Sequence, residues 1–196
     1  LGFTDTERKK SEHKYLIHVF KSISISIKTP RILWTVLFAA LMGFTFRASY
    51  WLYQPFFQSV NIDVKWFGLI FFGYNMIAAF ASKVLLKKFY DTRPRKVLIG
   101  LAVLLSISFL IPAFLIFPFA VAILGLQQIV RGLYNPTLRF YINHQIKDEY
   151  RATVISLVSL AASLSFAIFS PFVGISLDKL GTSPTYLWMG IVTLGG

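Results

Sequence analysis

The side chain least suited to its surroundings is Arg131, which lies within LQQIVRGLYNPTLRF (residues 126–140) among leucine, isoleucine, valine and aromatic residues. A guanidinium group stays charged and offers five N–H donors in a planar fork that matches a carboxylate or a phosphate. A charge inside so apolar a segment is costly, and it therefore points to a specific partner. What that partner is depends on the elements that position the arginine.

Other hydrogen-bonding side chains recur at three- and four-residue intervals, a spacing that places them on one face of a helix. The run that contains the arginine carries Gln127, Gln128, Arg131, Tyr134 and Asn135. An earlier run carries Gly43, Arg47, Tyr50, Trp51, Gln54 and Gln58. A third run adds Tyr74 and Asn75. Two helices that each present a polar face predict a shared polar cavity.

The elements that carry these faces are apolar runs of membrane-spanning length. The 196 residues are 56% hydrophobic and 14% charged, whereas a soluble domain is about one quarter charged. A spanning helix needs about 20 mostly apolar residues. We predict spans at 32–57, 66–86, 97–114, 118–140, 152–176 and 183–196. The last is short, so we expect a truncated final helix in an all-α membrane bundle that covers 31–196.

Basic residues between the runs indicate the orientation. Of the twenty Lys and Arg residues, sixteen lie in the leader to Arg31 and in the loops after the second and fourth runs, against Lys65 and Lys179 in the alternate loops. Such an excess predicts a multi-pass protein of the cell membrane with its amino end in the cytoplasm. Since topology accounts for the net charge of +12, we expect the lipid bilayer as a partner and not nucleic acid.

The leader, residues 1–30, is predicted to be a cytoplasmic linker. EHKYLIHVFKS (12–22) has helical apolar spacing and suits an interfacial helix on the bilayer surface. Pro30 is expected to open the first membrane helix. In the fifth run, small residues on one side predict close helix packing rather than solute contact: Ser156, Ser159, Ser163 and Ser170.

Catalysis has no candidate residues. The chain has no cysteine, no histidine within a predicted span and no acidic pair, so it lacks an intramembrane nucleophile with a base and lacks metal-ligand spacing. We therefore expect no enzyme, no cofactor and no metal site. A channel would show a filter or a ring of like residues, which is not visible. A channel-like or non-transporting multispan protein remains the alternative.

Three further stretches carry a resemblance to a known family: KKFYDTRPRK (87–96), RGLYNPTLRFYINHQIKDEYRATVISL (131–157) and PFVGISLDKLG (171–181). In this order they resemble the carboxy-terminal half of a major facilitator superfamily transporter. The first is similar to the family's G-x-x-x-D-R-x-G-R-R loop and departs from it at Lys87, Thr92 and Pro94.

The resemblance implies a six-helix bundle of two inverted three-helix repeats, the second half of a twelve-helix fold, with the amino-terminal six-helix half as its partner. It implies a secondary transporter that moves a small solute by alternating access, coupled to an ion. The first and fourth helices would line the cavity, the second and fifth would meet the other half, and the third and sixth would face lipid.

The resemblance also implies residue roles. The substrate cavity would be lined by Arg47, Tyr50, Gln54, Tyr74, Asn75, Gln127, Gln128, Arg131 and Asn135. Asp91, Arg95 and Lys96 would act at the cytoplasmic gate.

Three partners stay open for Arg131: an anionic or carbonyl-rich substrate, an acid on the amino-terminal half, or backbone carbonyl groups. Arg47 is expected nearer the outer edge, where it could snorkel. The aromatic stripe also suits a lipophilic drug or a sugar.

Overall fold

Six α-helices make up most of the part of the chain that the structure describes. This computed structural model describes residues 29–85, 93–146 and 148–195. The helices are α1 (Pro30–Ser59), α2 (Phe67–Phe80), α3 (Pro94–Phe114), α4 (Ala120–Gln145), α5 (Asp148–Leu180) and α6 (Thr182–Gly195). Each overlaps one of the predicted spans, and no strand occurs among the described residues. The predicted interfacial helix at 12–22 and the gate residue Asp91 lie outside those residues.

The helix ends follow from local chemistry. Pro30 opens α1, as predicted, because its fixed φ suits a first turn whose N–H groups lack partners. After α1 the chain turns at Asn61, which adopts a φ of 58°. A short 3₁₀ turn, Val64–Trp66, then leads into α2. Gly181 (φ 85°) alone separates α5 from α6, and glycine adopts this left-handed conformation without steric strain.

Four helical segments are long and apolar enough to cross a membrane, by length and composition: Pro30–Ser59, Val64–Leu85, Pro94–Phe114 and Tyr150–Leu180. Helix α4, with 26 residues, has sufficient length. It is less apolar because Gln127, Gln128 and Arg131 interrupt it. Helix α6 has 14 residues, about 21 Å at 1.5 Å per residue, and is shorter than a ~30 Å hydrocarbon core.

The helices pack in a few extensive pairs: α1 lies along α5, α3 lies along both α4 and α6, and α2 lies on α4. Small residues allow the closest approaches. A Cβ atom added to Gly43 of α1 would lie 2.3 Å from the Cβ atom of Ala162 in α5. One added to Gly132 of α4 would lie 2.4 Å from the backbone oxygen of Ala78 at the end of α2. These glycines fix how near α5 and α2 lie to the helices that carry the polar faces.

Aromatic side chains fill the core among α1, α3 and α6. Tyr186 is fully buried, with ring centroids 5.1 Å from Phe56 and 5.5 Å from Phe109. Its hydroxyl donates to the backbone oxygen of Leu52 at 3.1 Å. This cluster anchors α1 beneath its polar face and so holds that face toward α4 and α5.

Candidate solute cavity

Arg131 contacts two neutral side chains. Its Nη1 donates to the Tyr50 hydroxyl at 3.1 Å and its Nη2 donates to Asn75 Oδ1 at 2.7 Å. Asn75 Nδ2 in turn donates to the backbone oxygen of Phe71 at 2.8 Å, which keeps the amide oxygen turned toward the guanidinium. The arginine of α4 therefore links α1 and α2. Among the described residues its charge has no carboxylate within ion-pair distance.

A second polar cluster is buried beside it. The Tyr53 hydroxyl donates to Gln127 Oε1 and accepts from Gln128 Nε2, both at 2.7 Å. The two glutamines are only 1% and 2% exposed. Gln127 Nε2 and Gln128 Oε1 have no hydrogen-bond partner among the described residues. If both side-chain amides were flipped, the nitrogen and oxygen atoms would change places, but one amide donor and one amide acceptor would still be unpaired. The reason is that the single Tyr53 hydroxyl can pair with only one donor and one acceptor.

These two unpaired amide atoms lower the stability of the folded protein. A buried donor or acceptor without a partner carries a desolvation cost of about 1–3 kcal/mol. Buried polar groups are normally satisfied, so an exception of this kind asks for a function. Both atoms belong to residues that line a cavity, although the atoms themselves are buried.

Arg47 lies just past the middle of α1 and turns toward α5. Its Nη1 donates to the backbone oxygen of Ala162 at 3.3 Å, the one hydrogen bond it makes with the described residues. A guanidinium has five N–H donors, so most of its donor capacity stays open. This arginine lies in the same region of the bundle as Arg131.

Three cavities follow one another along α1. One of about 320 Å³ lies among α1, α4 and α5 and includes Arg47, Arg131 and Asn135. The next, of about 410 Å³, is lined by Phe46, Arg47, Ser49, Tyr50, Trp51, Tyr53, Gln127, Gln128, Arg131 and Phe166. The third, of about 540 Å³, lies between α1 and α5 and includes Gln54.

Adjacent cavities share walls. Phe46, Arg47 and Arg131 line the first two, and Trp51 and Phe166 line the last two. From Ala39 in the first to Gln58 in the third, α1 rises by about 29 Å, close to the thickness of a hydrocarbon core. The cavities therefore form a series that extends along nearly the whole span.

The structure brings most of the predicted cavity residues together. Five line the 410 Å³ cavity: Arg47, Tyr50, Gln127, Gln128 and Arg131. Asn135 joins the two arginines in the 320 Å³ cavity. Asn75 reaches the group through its bond to Arg131. Their role in binding a solute stays a prediction.

Two of the predicted residues lie apart from that group. Gln54 lines the 540 Å³ cavity, because one helical turn separates it from Tyr50 and carries it past the arginines. Tyr74 is buried, and its hydroxyl donates to the backbone oxygen of Val121 at 2.7 Å. The phenol of Tyr74 therefore joins α2 to α4 and lines none of the three cavities described above.

Sequence reasoning missed Tyr53, whose hydroxyl organises both glutamines. Its position three residues after Tyr50 was a signal, but Tyr53 points to the buried side of the polar stripe. The α5 serines were predicted to serve helix packing, and α5 does lie along α1, while Ser159 and Ser163 also line the 320 Å³ cavity and Ser170 lines the 540 Å³ cavity. The hydroxyls of Ser159 and Ser163 are bonded to their own helix, and the absence of solute contact stays a prediction. Ser165, outside that stripe, makes the contact with α1 by donating to the backbone oxygen of Ala40 at 2.6 Å.

The predicted gate residues that the structure describes lie where α1 and α3 begin. The guanidinium carbon of Arg95 lies 4.8 Å from the ring centre of Trp34, a cation–π contact between the two helices. Lys96 is exposed in the first turn of α3. At the same end Arg31 Nη1 donates to Gln145 Oε1 at 3.4 Å and so joins α1 to the end of α4.

The family model of the Major Facilitator Superfamily matches residues 33–196, which include nearly all of α1 and every helix after it. The chain belongs to the major facilitator superfamily. Members of this superfamily are transporters, so this major facilitator chain is a multi-pass membrane protein of transporter type. Curated proteins and solved structures give no significant match.

Proposed function

We propose that this major facilitator chain is the carboxy-terminal six-helix half of a twelve-helix secondary transporter, which moves a small solute by ion-coupled alternating access. The observation that carries the proposal is the meeting of the polar faces of α1 and α4 in common cavities beside Arg47 and Arg131. Polar groups at this depth suit a solute pathway, because lipid disfavours them and a water-filled cavity does not.

The packing pattern supports two inverted repeats, α1–α3 and α4–α6. In such repeats α1 corresponds to α4, α2 to α5 and α3 to α6. Exchanging corresponding helices turns the pair α1–α5 into α4–α2 and the pair α3–α4 into α6–α1. The pairs α3–α6 and α1–α4 are unchanged by the exchange. All six pairs are in contact. Inverted repeats around a midplane site are the architecture of alternating access.

Unequal burial supports a missing partner for α2 and α5. The spanning segments differ in the buried share of an 18-residue apolar stretch. It is 17% in Val64–Leu85, which contains α2, and 11% in Tyr150–Leu180 of α5. The corresponding share is 50% in α1 and 56% in α3. We infer that α2 and α5 meet the amino-terminal half of the transporter. The exposed sides of α3 and α6 are apolar and would face lipid.

The described charges agree with a cytoplasmic start of α1. Arg31, Arg93, Arg95 and Lys96 lie where α1 and α3 begin, whereas the opposite end of α1 is followed by the exposed pair Lys65–Asp63 at 2.5 Å. In this orientation Asp91, Arg95 and Lys96 belong to a cytoplasmic gate.

Alternating access is testable by cysteine labelling in the full-length protein, since residues 1–196 contain no native cysteine that would react. Ser159→Cys would report on the cytoplasmic-side cavity and Gln54→Cys on the outer one. We expect a solute that raises labelling at one position to lower it at the other. Lys65→Cys, in an exposed loop, is the control and should label equally in both states.

A transport measurement separates a carrier from a channel. The full-length protein would be reconstituted in vesicles with a solute found by thermal-shift screening, and uptake would be followed with and without unlabelled solute inside. A carrier shows saturable counterflow that an imposed proton or sodium gradient alters. Simultaneous labelling of both cysteine positions, together with uptake that shows no counterflow, would instead support a channel.

A further inference from the structure

We propose that the solute is an organic anion, with its charged group beside Arg47 and Arg131 and its apolar body on the aromatic wall of the 410 Å³ cavity. The proposal rests on the transport function proposed above, because it names the class of solute for the same cavity.

Charge comes first. Arg47 and Arg131 both line the 320 Å³ and 410 Å³ cavities, and no carboxylate is among the described residues that line either one. Two guanidinium groups that line one cavity repel each other, and an opposite charge between them offsets that repulsion. An arginine at the end of the bundle shows the contrast: Arg151 forms an ion pair with Asp148. The cavity arginines thus have no counter-charge among the described residues, and an anionic solute would supply one.

Donor geometry points to an anion with two oxygen atoms that can accept paired N–H bonds. Tyr50 and Asn75 hold two N–H groups of Arg131 and fix the plane of its guanidinium, yet both partners are neutral. Arg47 makes a single bond, at 3.3 Å, with the described residues. A carboxylate or phosphate accepts paired N–H bonds from such a fork, and charge-assisted bonds are roughly twice as strong as neutral ones.

The wall chemistry points to an organic body. Phe46, Tyr50, Trp51 and Phe166 line the 410 Å³ cavity, and Trp51 is 73% exposed. A volume of this size falls in the range of about 300–1,000 Å³ that is typical of small-molecule sites. A small inorganic ion would leave this aromatic surface uncovered. An apolar group attached to the anion would cover it.

The leftover amide groups belong to the wall of the same cavity. Gln127 and Gln128 line it and retain one N–H donor and one carbonyl acceptor without partners among the described residues. Both atoms are buried, so a polar group on the solute would pair with them only after the glutamine side chains turn toward the cavity.

Binding of matched probes to the full-length protein in detergent tests the proposal. The probes are benzoate and hexanoate, their neutral amides benzamide and hexanamide, the cation benzylamine, and sulfate as an inorganic anion. We expect at least one carboxylate to bind about tenfold more tightly than its amide, with no binding of benzylamine. Equal affinity for a carboxylate and its amide, tighter binding of benzylamine, or binding of sulfate alone would overturn it. So would failure of both carboxylates to bind at about 10 mM, where even a millimolar site is largely filled.

Arginine variants locate the charge. Arg131→Gln and Arg47→Gln should each weaken carboxylate binding by about tenfold or more, and Arg131→Lys should weaken it less because the charge remains. Arg139→Gln is the matched control, since it removes the same charge from an exposed position of α4 outside the three cavities. Carboxylate affinity in that variant should stay within about twofold. If Arg131→Gln does not fold, Arg47→Gln and the probe series still decide the question.

The transport function and the solute class fail in different ways. Carboxylate-selective binding that depends on the arginines, but without counterflow, would uphold the anion site and remove the transport proposal. Saturable counterflow of a neutral or cationic solute, unaffected by Arg47→Gln, would uphold transport and remove the anion site.

Discussion

Buried polar atoms are paired to different degrees in two helix interfaces. One is the seam between α3 and α6, and the other is the cavity cluster of Tyr53, Gln127 and Gln128 between α1 and α4. In the seam, Ser106 Oγ donates to the backbone oxygen of Gly190 at 2.7 Å, and Leu110 packs against the open face of that glycine. In the cavity cluster, the Tyr53 hydroxyl satisfies only half of two buried amides. Neither interface gains much from apolar burial, because lipid is as apolar as the side chains.

The difference lies in how completely the buried polar atoms are paired. In the seam, the Ser106 hydroxyl finds its acceptor within the helix pair. In the cavity cluster, one donor and one acceptor lack partners among the described residues, which costs stability. Substitutions on the two sides should therefore have different effects on stability and on solute affinity.

The largest effect is expected for Gly132→Ala, beside the cavity cluster. Its new Cβ would lie 2.4 Å from the backbone oxygen of Ala78, so α2 would move away from α4 and take Asn75 from Arg131. We expect a loss of about 1–3 kcal/mol from overpacking, read as a lower melting temperature in detergent, together with weaker solute binding. Gly100→Ala is the control, since its Cβ meets nothing within 4 Å and should stabilise α3 by up to about 1 kcal/mol.

An effect of similar size on stability is expected for Tyr53→Phe, which leaves the amides of both glutamines without their shared partner. The loss should be about 1–3 kcal/mol, measured by the same thermal unfolding. The triple variant Tyr53→Phe, Gln127→Met, Gln128→Met should recover part or all of this stability, because it removes the unpaired groups themselves. Solute binding should still be weakened. A triple variant less stable than Tyr53→Phe alone would contradict the view that the leftover amide groups destabilise the fold.

In the seam, Ser106→Ala should lower stability by about 0.5–1.5 kcal/mol through loss of one buried hydrogen bond. Solute affinity should be unchanged, because Ser106 lines none of the cavities. A change in affinity as large as that of an arginine variant would show that the seam and the cavity are coupled. Thermal unfolding and titration with the same probe measure the two quantities.

The smallest effect is expected for Lys65→Gln. Lys65 and Asp63 form an ion pair with both side chains about two thirds exposed, at 67% and 66%. Exposed pairs contribute little, so we expect a change in unfolding free energy below about 0.5 kcal/mol. The result sets the baseline for the other variants, and a loss above 1 kcal/mol would mean that this loop packs more tightly than its exposure indicates.

Much of the architecture is predictable from the sequence. Every predicted span overlaps a helix, and Pro30 begins α1 as expected, because apolar run length and proline stereochemistry are local properties. The recurrence of Arg47 and Tyr50 at helical spacing correctly places them on one face. Periodicity does not give the partner of that face, and so Gln54 was assigned to the same cavity as Arg131.

The sequence by itself thus determined the membrane-spanning character, the positions of the helices and the family, since these follow from composition, period and motif order. Only the tertiary structure decided which polar groups meet. Tyr53 and Gln127 are 74 residues apart in the chain, and Tyr50 and Arg131 are 81 apart. Their contact depends on how closely helices approach, which is set by residues such as Gly43 and Gly132. Burial of Tyr53 and Tyr74 follows from the same packing and has no signature in local spacing.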